Sequence, residues 1–253
     1  KNHLLTFTAI GAPQQHGQRD GYYKLNKEKY IRLGGKYNQN WGWRGGEQLN
    51  VRVNYYHKPQ IALNWYYNIN ESMFLATSLY TSFGTGGGSG SLGYGSYKYE
   101  PPQTPSEQYD WDQMEQINSE NIDKEDATEL GMFTVDEDGD TTYSSRSQHI
   151  LRNSVNNHTW YGLLSSLNWE INDRLTLMAG IDGRRYLGEH YREVRDLLGG
   201  DYWSDYAFGA RTRPGDKVAY WNDGIVIYSG LFAQLEWSNN NISAFINASA
   251  SNT

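Results

Sequence analysis

The chain has 253 residues, a formal net charge of −7 and no cysteine, which excludes a disulfide framework and any thiolate metal centre. Only 38% of its residues are hydrophobic while 15% are aromatic, and mean hydropathy is −0.78; this mixture lacks the aliphatic stock of a dry core yet is too aromatic for a disordered segment. No run approaches the roughly 18 apolar residues that a membrane-crossing helix needs, and no basic stripe suits nucleic acid.

The first residues, KNHLLTFTAIGAPQQ, hold a short alternating apolar patch without the features of a signal peptide, and they read as a strand over 3–11 entered in mid-domain. Further period-2 runs predict strands over 51–67, 72–83, 158–170, 175–188, 223–237 and 242–251. The connections between these seven alternate long and short, at 39, 4, 74, 4, 34 and 4 residues. The short ones, Asn68 to Glu71, Ile171 to Arg174 and Ser238 to Asn241, are rich in the Asn and Asp that accept tight-turn geometry. Structureless loops as long as the others are uncommon in a compact domain, whereas transmembrane barrels have short periplasmic turns and long outer loops. The expected architecture is therefore all-β, a transmembrane antiparallel β-barrel, with residues 1–253 supplying about seven strands and 84–157 forming a long acidic extracellular loop. Seven strands leave an open edge that hydrocarbon does not tolerate, so the chain is expected to be part of a larger barrel.

The strand faces agree with this expectation. One face carries Ile61, Leu63, Trp65 and Tyr67, then Tyr161, Leu163, Ser165, Leu167 and Trp169, then Leu175, Leu177, Ala179 and Ile181, then Ile225, Ile227, Ser229, Leu231, Ala233, Leu235 and Trp237. The opposite face carries Asn64, Gly162, Ser166, Asn168, Tyr228, Gly230, Gln234 and Glu236. Trp65, Trp169 and Trp237 fall near the short turns on the apolar side, where indoles form a girdle at the edge of the hydrocarbon. Arg185 follows the apolar run of its strand and is expected just beyond the outer edge, where its cost falls to about 0–1 kcal/mol.

The charge is uneven: Glu100 to Asp140 holds 14 acidic residues and one basic one, Lys124. Asp136-Glu137-Asp138-Gly139-Asp140 has the carboxylates but not the spacing of an EF-hand, and reads as a solvated turn with weak calcium binding as the alternative. Carboxylates in a loop are not held at the fixed separation that glycosidase chemistry needs, and no G-x-S-x-G elbow or thiol nucleophile exists, so no enzyme is expected. Gly88-Ser89-Gly90-Ser91-Leu92-Gly93 matches a dinucleotide fingerprint, but Tyr94-Gly95-Ser96-Tyr97 and Pro101-Pro102 follow in place of the required helix. The whole stretch GTGGGSGSLGYG, residues 84–95, is read as a flexible loop stem at the barrel rim, and no cofactor is expected. The six His residues lack metal spacing, and His190 is expected to make a hydrogen bond at the rim.

The segments HLLTFTAIGAPQQHGQRD, GGKYNQNWGW, NYYHKPQIALNWYYNIN, LYTSFGTGGG and NNHTWYGLLSSLNWEINDRLTLMAGIDGRRYLGEHYREV resemble the middle barrel strands of TonB-dependent outer-membrane receptors. The resemblance covers most of the chain apart from about 98–150 and 195–222. It implies a 22-stranded barrel in the outer membrane of a Gram-negative bacterium, plugged by a globular domain that lies outside this chain and couples to TonB. It further implies active import of a scarce nutrient such as a siderophore, cobalamin, glycan or peptide, with a surface lipoprotein lid as a partner in some members. The alternatives are a passive porin or adhesive barrel, which has no plug, and a soluble carbohydrate-binding β-sandwich, which needs a second sheet on the apolar face. Aromatic faces stack on sugars and Arg forks hold carboxylates, so Trp41, Trp43, Trp111, Arg184, Tyr186, Arg192, Trp203 and Tyr206 are the candidate ligand contacts. Packing of the loops on one another is the competing role for each of them.

Overall fold

Alternation of side chains does produce strands, and a computed structural model describes them over residues 2–19, 25–95 and 100–253. In chain order the elements are β1 (His3–Ile10), β2 (Gln14–Gly17), α1 (Lys27–Leu33), β3 (Trp41–Arg44), β4 (Glu47–Asn50), β5 (Val53–His57), β6 (Gln60–Asn68) and β7 (Met73–Gly93). There follow β8 (Tyr109–Asp110), α2 (Trp111–Glu120), α3 (Lys124–Glu129), β9 (Phe133–Val135), β10 (Thr141–Tyr143), β11 (His149–Asn172), β12 (Leu175–Asp196), β13 (Trp203–Asp205), β14 (Gly209–Arg211), β15 (Lys217–Ser238) and β16 (Ser243–Asn252). The protein is all-β in its main body: one nine-stranded antiparallel sheet runs in the order β1, β6, β7, β11, β12, β15, β16, with β2 and β5 continuing beside it. It stays open, with β1 and β16 as its edges. None of the described helices is long and apolar enough to cross a membrane.

The three short turns close as their Asn residues predict. Asn70 Oδ1 accepts the Ser72 backbone N–H at 3.0 Å, Asn172 Oδ1 that of Arg174 at 3.0 Å, and Asn239 Oδ1 that of Asn241 at 2.9 Å. The same side-chain bond to the backbone two residues on thus tightens every hairpin at one end of the sheet. The expected strand over 51–67 is divided at Lys58-Pro59 into β5 and β6, and Pro13 interrupts its neighbour between β1 and β2. Proline has no N–H to give a ladder. The register nonetheless runs through both breaks, from Ile10 opposite Gln60 to Gln14 opposite Tyr56.

The expected apolar face is a single surface across all seven main strands. One register row reads Phe7, Leu63, Leu79, Leu163, Gly183, Ser229 and, at the β16 edge, Asn252, and the next reads Leu5, Trp65, Thr77, Ser165, Ile181, Leu231 and Ala250. This face is bare: Leu231 is 62% exposed, Ile227 64% and Phe7 70%. Trp65 faces Thr77 on β7, whereas Trp169 faces Met73, four residues closer to the short turn. On β12 Trp169 faces Leu177 and Trp237 faces Leu175, two residues closer again. The three indoles therefore lie on an oblique line across the sheet.

The strands outrun their expected ends at the long-loop side. β7 reaches Gly93, β11 starts at His149, β12 reaches Asp196 and β15 starts at Lys217. The segment 84–157 is accordingly strand at both ends and loop only between. Gly84 to Gly93, expected as a flexible stem, is paired ladder against β11, and Ser96 and Tyr97 beyond it lie outside the described residues. Neighbouring side chains explain the glycines: a Cβ at Gly90 would meet the Arg152 guanidinium at 2.8 Å, and one at Gly84 the His158 ring at 2.3 Å. The side chains of β11 lie flat across the space that β7 leaves empty.

Candidate functional site

The long connections fold into a cap over the extended strands. Asp110 and Asp123 cap α2 and α3 by accepting the N–H groups of Gln113 and Asp126 at 3.0 and 3.1 Å. Two apolar clusters fix the cap: Val51, Trp111, Met114, Leu151 and Leu198 in one, Ile150, Val194, Trp203 and Val218 in the other. Asn118, fully buried, joins α2 to the strand ends. Its amide donates to the carbonyls of His149, Leu197 and Leu198 at 2.9, 3.1 and 2.7 Å, while its oxygen accepts the Gln148 N–H at 2.8 Å.

Part of the acidic segment holds this cap together, while Asp136 to Asp140 stay exposed. Asp126 accepts from the Tyr202 hydroxyl at 2.8 Å and Ser204 at 3.0 Å, and Arg146 reaches Asp123 at 3.1 Å. Burial, with Asp126 as hydrogen-bond partner, pushes the Tyr202 hydroxyl far above its ordinary pKa. Arg44 ties Glu115 of α2 to Asp196 at the end of β12. Asp136 closes the turn between β9 and β10 by accepting the N–H groups of Asp138 and Asp140 at 3.1 and 2.8 Å. Among the described residues no group of His, Asp and Glu is arranged to hold a metal.

Glu107 fastens α1. Its carboxylate accepts from Lys29 at 2.6 Å and from Arg32, and these hydrogen bonds hold it below the ordinary carboxylate range. Because the folded-state pKa is depressed, the tie is fully present above the unfolded value and is lost as pH falls through the folded one. The amide protection factors of residues 25–35, exchange rates divided into the intrinsic rate at each pH, are therefore expected to fall below about pH 4 and to hold between about pH 6 and 8. Glu107→Gln should give the acid pattern at neutral pH.

The eight candidate contacts divide. Trp111 and Trp203 are 0% and 2% exposed, and Trp203 stacks on Tyr94 with centroids 4.1 Å apart. These two are core of the cap, a correction to their expected place at a ligand surface; an indole buried on both faces has none left for a ligand. Trp43 donates to Gln108 at 3.1 Å, Trp41 lines a separate cleft with His16 and Gln48, and Tyr206 stands fully exposed. Arg184, Tyr186 and Arg192 share the polar face of β12, but Arg192 lies six residues beyond Tyr186, opposite Ser154, and does not join the other two. Arg184 pairs with Asp182 and lies 5.4 Å over the Tyr228 ring, and Tyr186 meets Trp160 edge-on at 5.5 Å. His190 makes the expected hydrogen bond, with Nδ1 2.7 Å from Asn156 Oδ1, six residues before β12 ends.

The sequence reading missed Arg152 and Ser154, because it started this strand at 158. Ser154 lies opposite Arg192 in the ladder. Its hydroxyl accepts from Arg152 Nη1 at 2.6 Å and from Arg192 Nε at 3.4 Å. Two guanidinium groups therefore share one oxygen, and their like charges repel at short range. Burial pushes Arg152 down to about 10, and the neighbouring charges of Arg192 and Arg52 act in the same direction. Arg152 borders a cleft of about 480 Å³ lined also by Asn54, Tyr56, Lys58 and the Gly86–Gly88 run. From Arg152 to His158 only Val155 is apolar, so no alternation of faces marked the longer strand. No family model matches the chain, and comparison with curated proteins finds no relative.

Proposed function

We propose that this chain is part of a transmembrane outer-membrane β-barrel of the TonB-dependent receptor type, importing a polar nutrient bound at the capped end of its polar face. The observation that carries the reading is the uncovered apolar face in one register across seven strands. Soluble monomers rarely expose apolar patches beyond a few hundred Å², and no described element packs on this one. Two further features agree. The line of Trp65, Trp169 and Trp237 drops six residues over four strand spacings; a level line across strands tilted by about 45° drops roughly 1.5 residues per strand. Every short turn lies at one end and every folded connection at the other, the asymmetry of outer-membrane barrels.

On this reading Trp65, Trp169 and Trp237 sit in the inner interface, lipid covers Leu231 and its row, and coupling runs through a plug to TonB. The folded cap, with the aromatic and basic groups beneath it, favours ligand capture over a passive pore. The test is fractionation and gel mobility of the full-length protein. It should be found in outer membranes and run faster before boiling than after, and its uptake activity should vanish in cells without TonB. Absence of the heat shift would sink the barrel, and uptake that persists without TonB would favour the porin.

A further inference from the structure

We propose that Arg152, Ser154 and Arg192 form an oxyanion cradle on the polar face, receiving a carboxylate or phosphate group of the ligand. As a claim about imported ligand it rests on the receptor reading; as a claim about anion binding it stands on the geometry alone.

The cluster holds donors and lacks an acceptor with charge. Ser154 Oγ already accepts from both guanidinium groups, so its own proton is left to donate outward. Arg152 Nε is buried without a partner. Arg152 otherwise donates to the Gly88 carbonyl at 3.3 Å, and Arg192 lies 5.2 Å over the Tyr220 ring. Neither guanidinium has a carboxylate partner among the described residues: Asp182 is taken by Arg184, and Glu193 accepts from Asn153 at 3.0 Å. Two like-charged guanidinium groups held on one oxygen, one of them largely buried, are stabilised when an oxyanion arrives between them.

Access and shape fit the same occupant. The cleft beside Arg152 runs over Gly86, Gly87 and Gly88, with open space where a side chain at Gly88 would stand, and Lys58 on its wall adds positive potential. A Cβ at Gly90 would push into the Arg152 guanidinium, so the glycine tract both seats the arginine and leaves room for what it binds. Tyr56 and Asn54 offer a ring and an amide to the rest of the ligand.

The test uses the full-length protein in detergent, titrated calorimetrically with sodium phosphate and with sodium citrate at constant ionic strength, against chloride as control. Saturable binding is expected for at least one of the two oxyanions and not for chloride. Arg192→Gln should weaken it at least about tenfold, the loss of one charged hydrogen bond, and Arg192→Lys should recover part of it, keeping charge without the fork. The thermal midpoint of Arg192→Gln without ligand should match or exceed the parent's, because one of two repelling charges is gone. Indifference to both oxyanions in a protein that shows the heat shift overturns the cradle. So does a drop in thermal midpoint on Arg192→Gln with binding unchanged, which would make the pair a structural contact. Binding that is sensitive to Arg192→Gln in a protein without a heat shift would keep the cradle and sink the barrel.

Discussion

Leu231→Arg is expected to destabilise the protein in lipid by about 2–4 kcal/mol, the cost of a cationic side chain at the bilayer midplane of a β-barrel. Leu231 sits in the row between Ile181 and Ala250, 62% exposed, six residues along β15 from Trp237. A strand tilted by about 45° climbs roughly 2.3 Å per residue, which puts Leu231 about 14 Å above the indole, near the middle of an apolar band about 25 Å tall. Ile225 is equally bare at 60% on the same face of the same strand, but six residues farther from the short turn. Arg at that position is expected to cost only about 0–1 kcal/mol. In water both would be surface substitutions within about 0.5 kcal/mol of neutral. Urea titration in vesicles, read by gel mobility, separates the cases: equal effects at the two sites would remove hydrocarbon from that face.

What the residues disclosed and what they hid follow from how far each signal reaches. The turns were legible because Asn70, Asn172 and Asn239 act on backbone two residues away. The apolar face was legible because alternation with period 2 partitions a strand without reference to its neighbours. Above Phe83 and below His158 that alternation fades: the outer parts of β7 and β11 are covered by the cap, and glycine replaces side chains where Arg152 and His158 lie across. Trp111 and Trp203 looked like ligand contacts because an indole in a loop gives no hint of whether loops pack on it. Trp111 is buried through a helix whose cap, Asp110, stands in a segment whose acidity had suggested solvent, and Trp203 is covered by strand residues far from it in sequence, Ile150 among them. The cradle was hidden for a different reason. Ser154 and Arg192 are 38 residues apart, and only the pairing of β11 with β12 brings them together.

Asn118→Asp should open the cap while leaving the large sheet intact. The amide nitrogen now serves three carbonyls, those of His149, Leu197 and Leu198, in a site with no exposure. An aspartate would present a charged acceptor to three acceptors, and losing the donor leaves each carbonyl unsatisfied at about 1–3 kcal/mol. The bond from Gln148 N–H to the side-chain oxygen at 2.8 Å survives in that variant, but it cannot offset a buried charge facing carbonyls. A local cost of at least about 3 kcal/mol exceeds what a small cap on α2 and α3 can hold, so the failure is expected to be local rather than global. Trp111 then meets water, and its fluorescence moves to the red while the gel shift persists. Protease cuts should appear within 100–148, where the folded protein resists them. Ser119→Ala is the control one residue away: its hydroxyl bonds only to the Gln116 carbonyl at the surface, so removal should leave cleavage unchanged. If the Asp variant stays as resistant as the parent, the cap hangs on its two apolar clusters and on Arg44, and Asn118 merely fills the space between them.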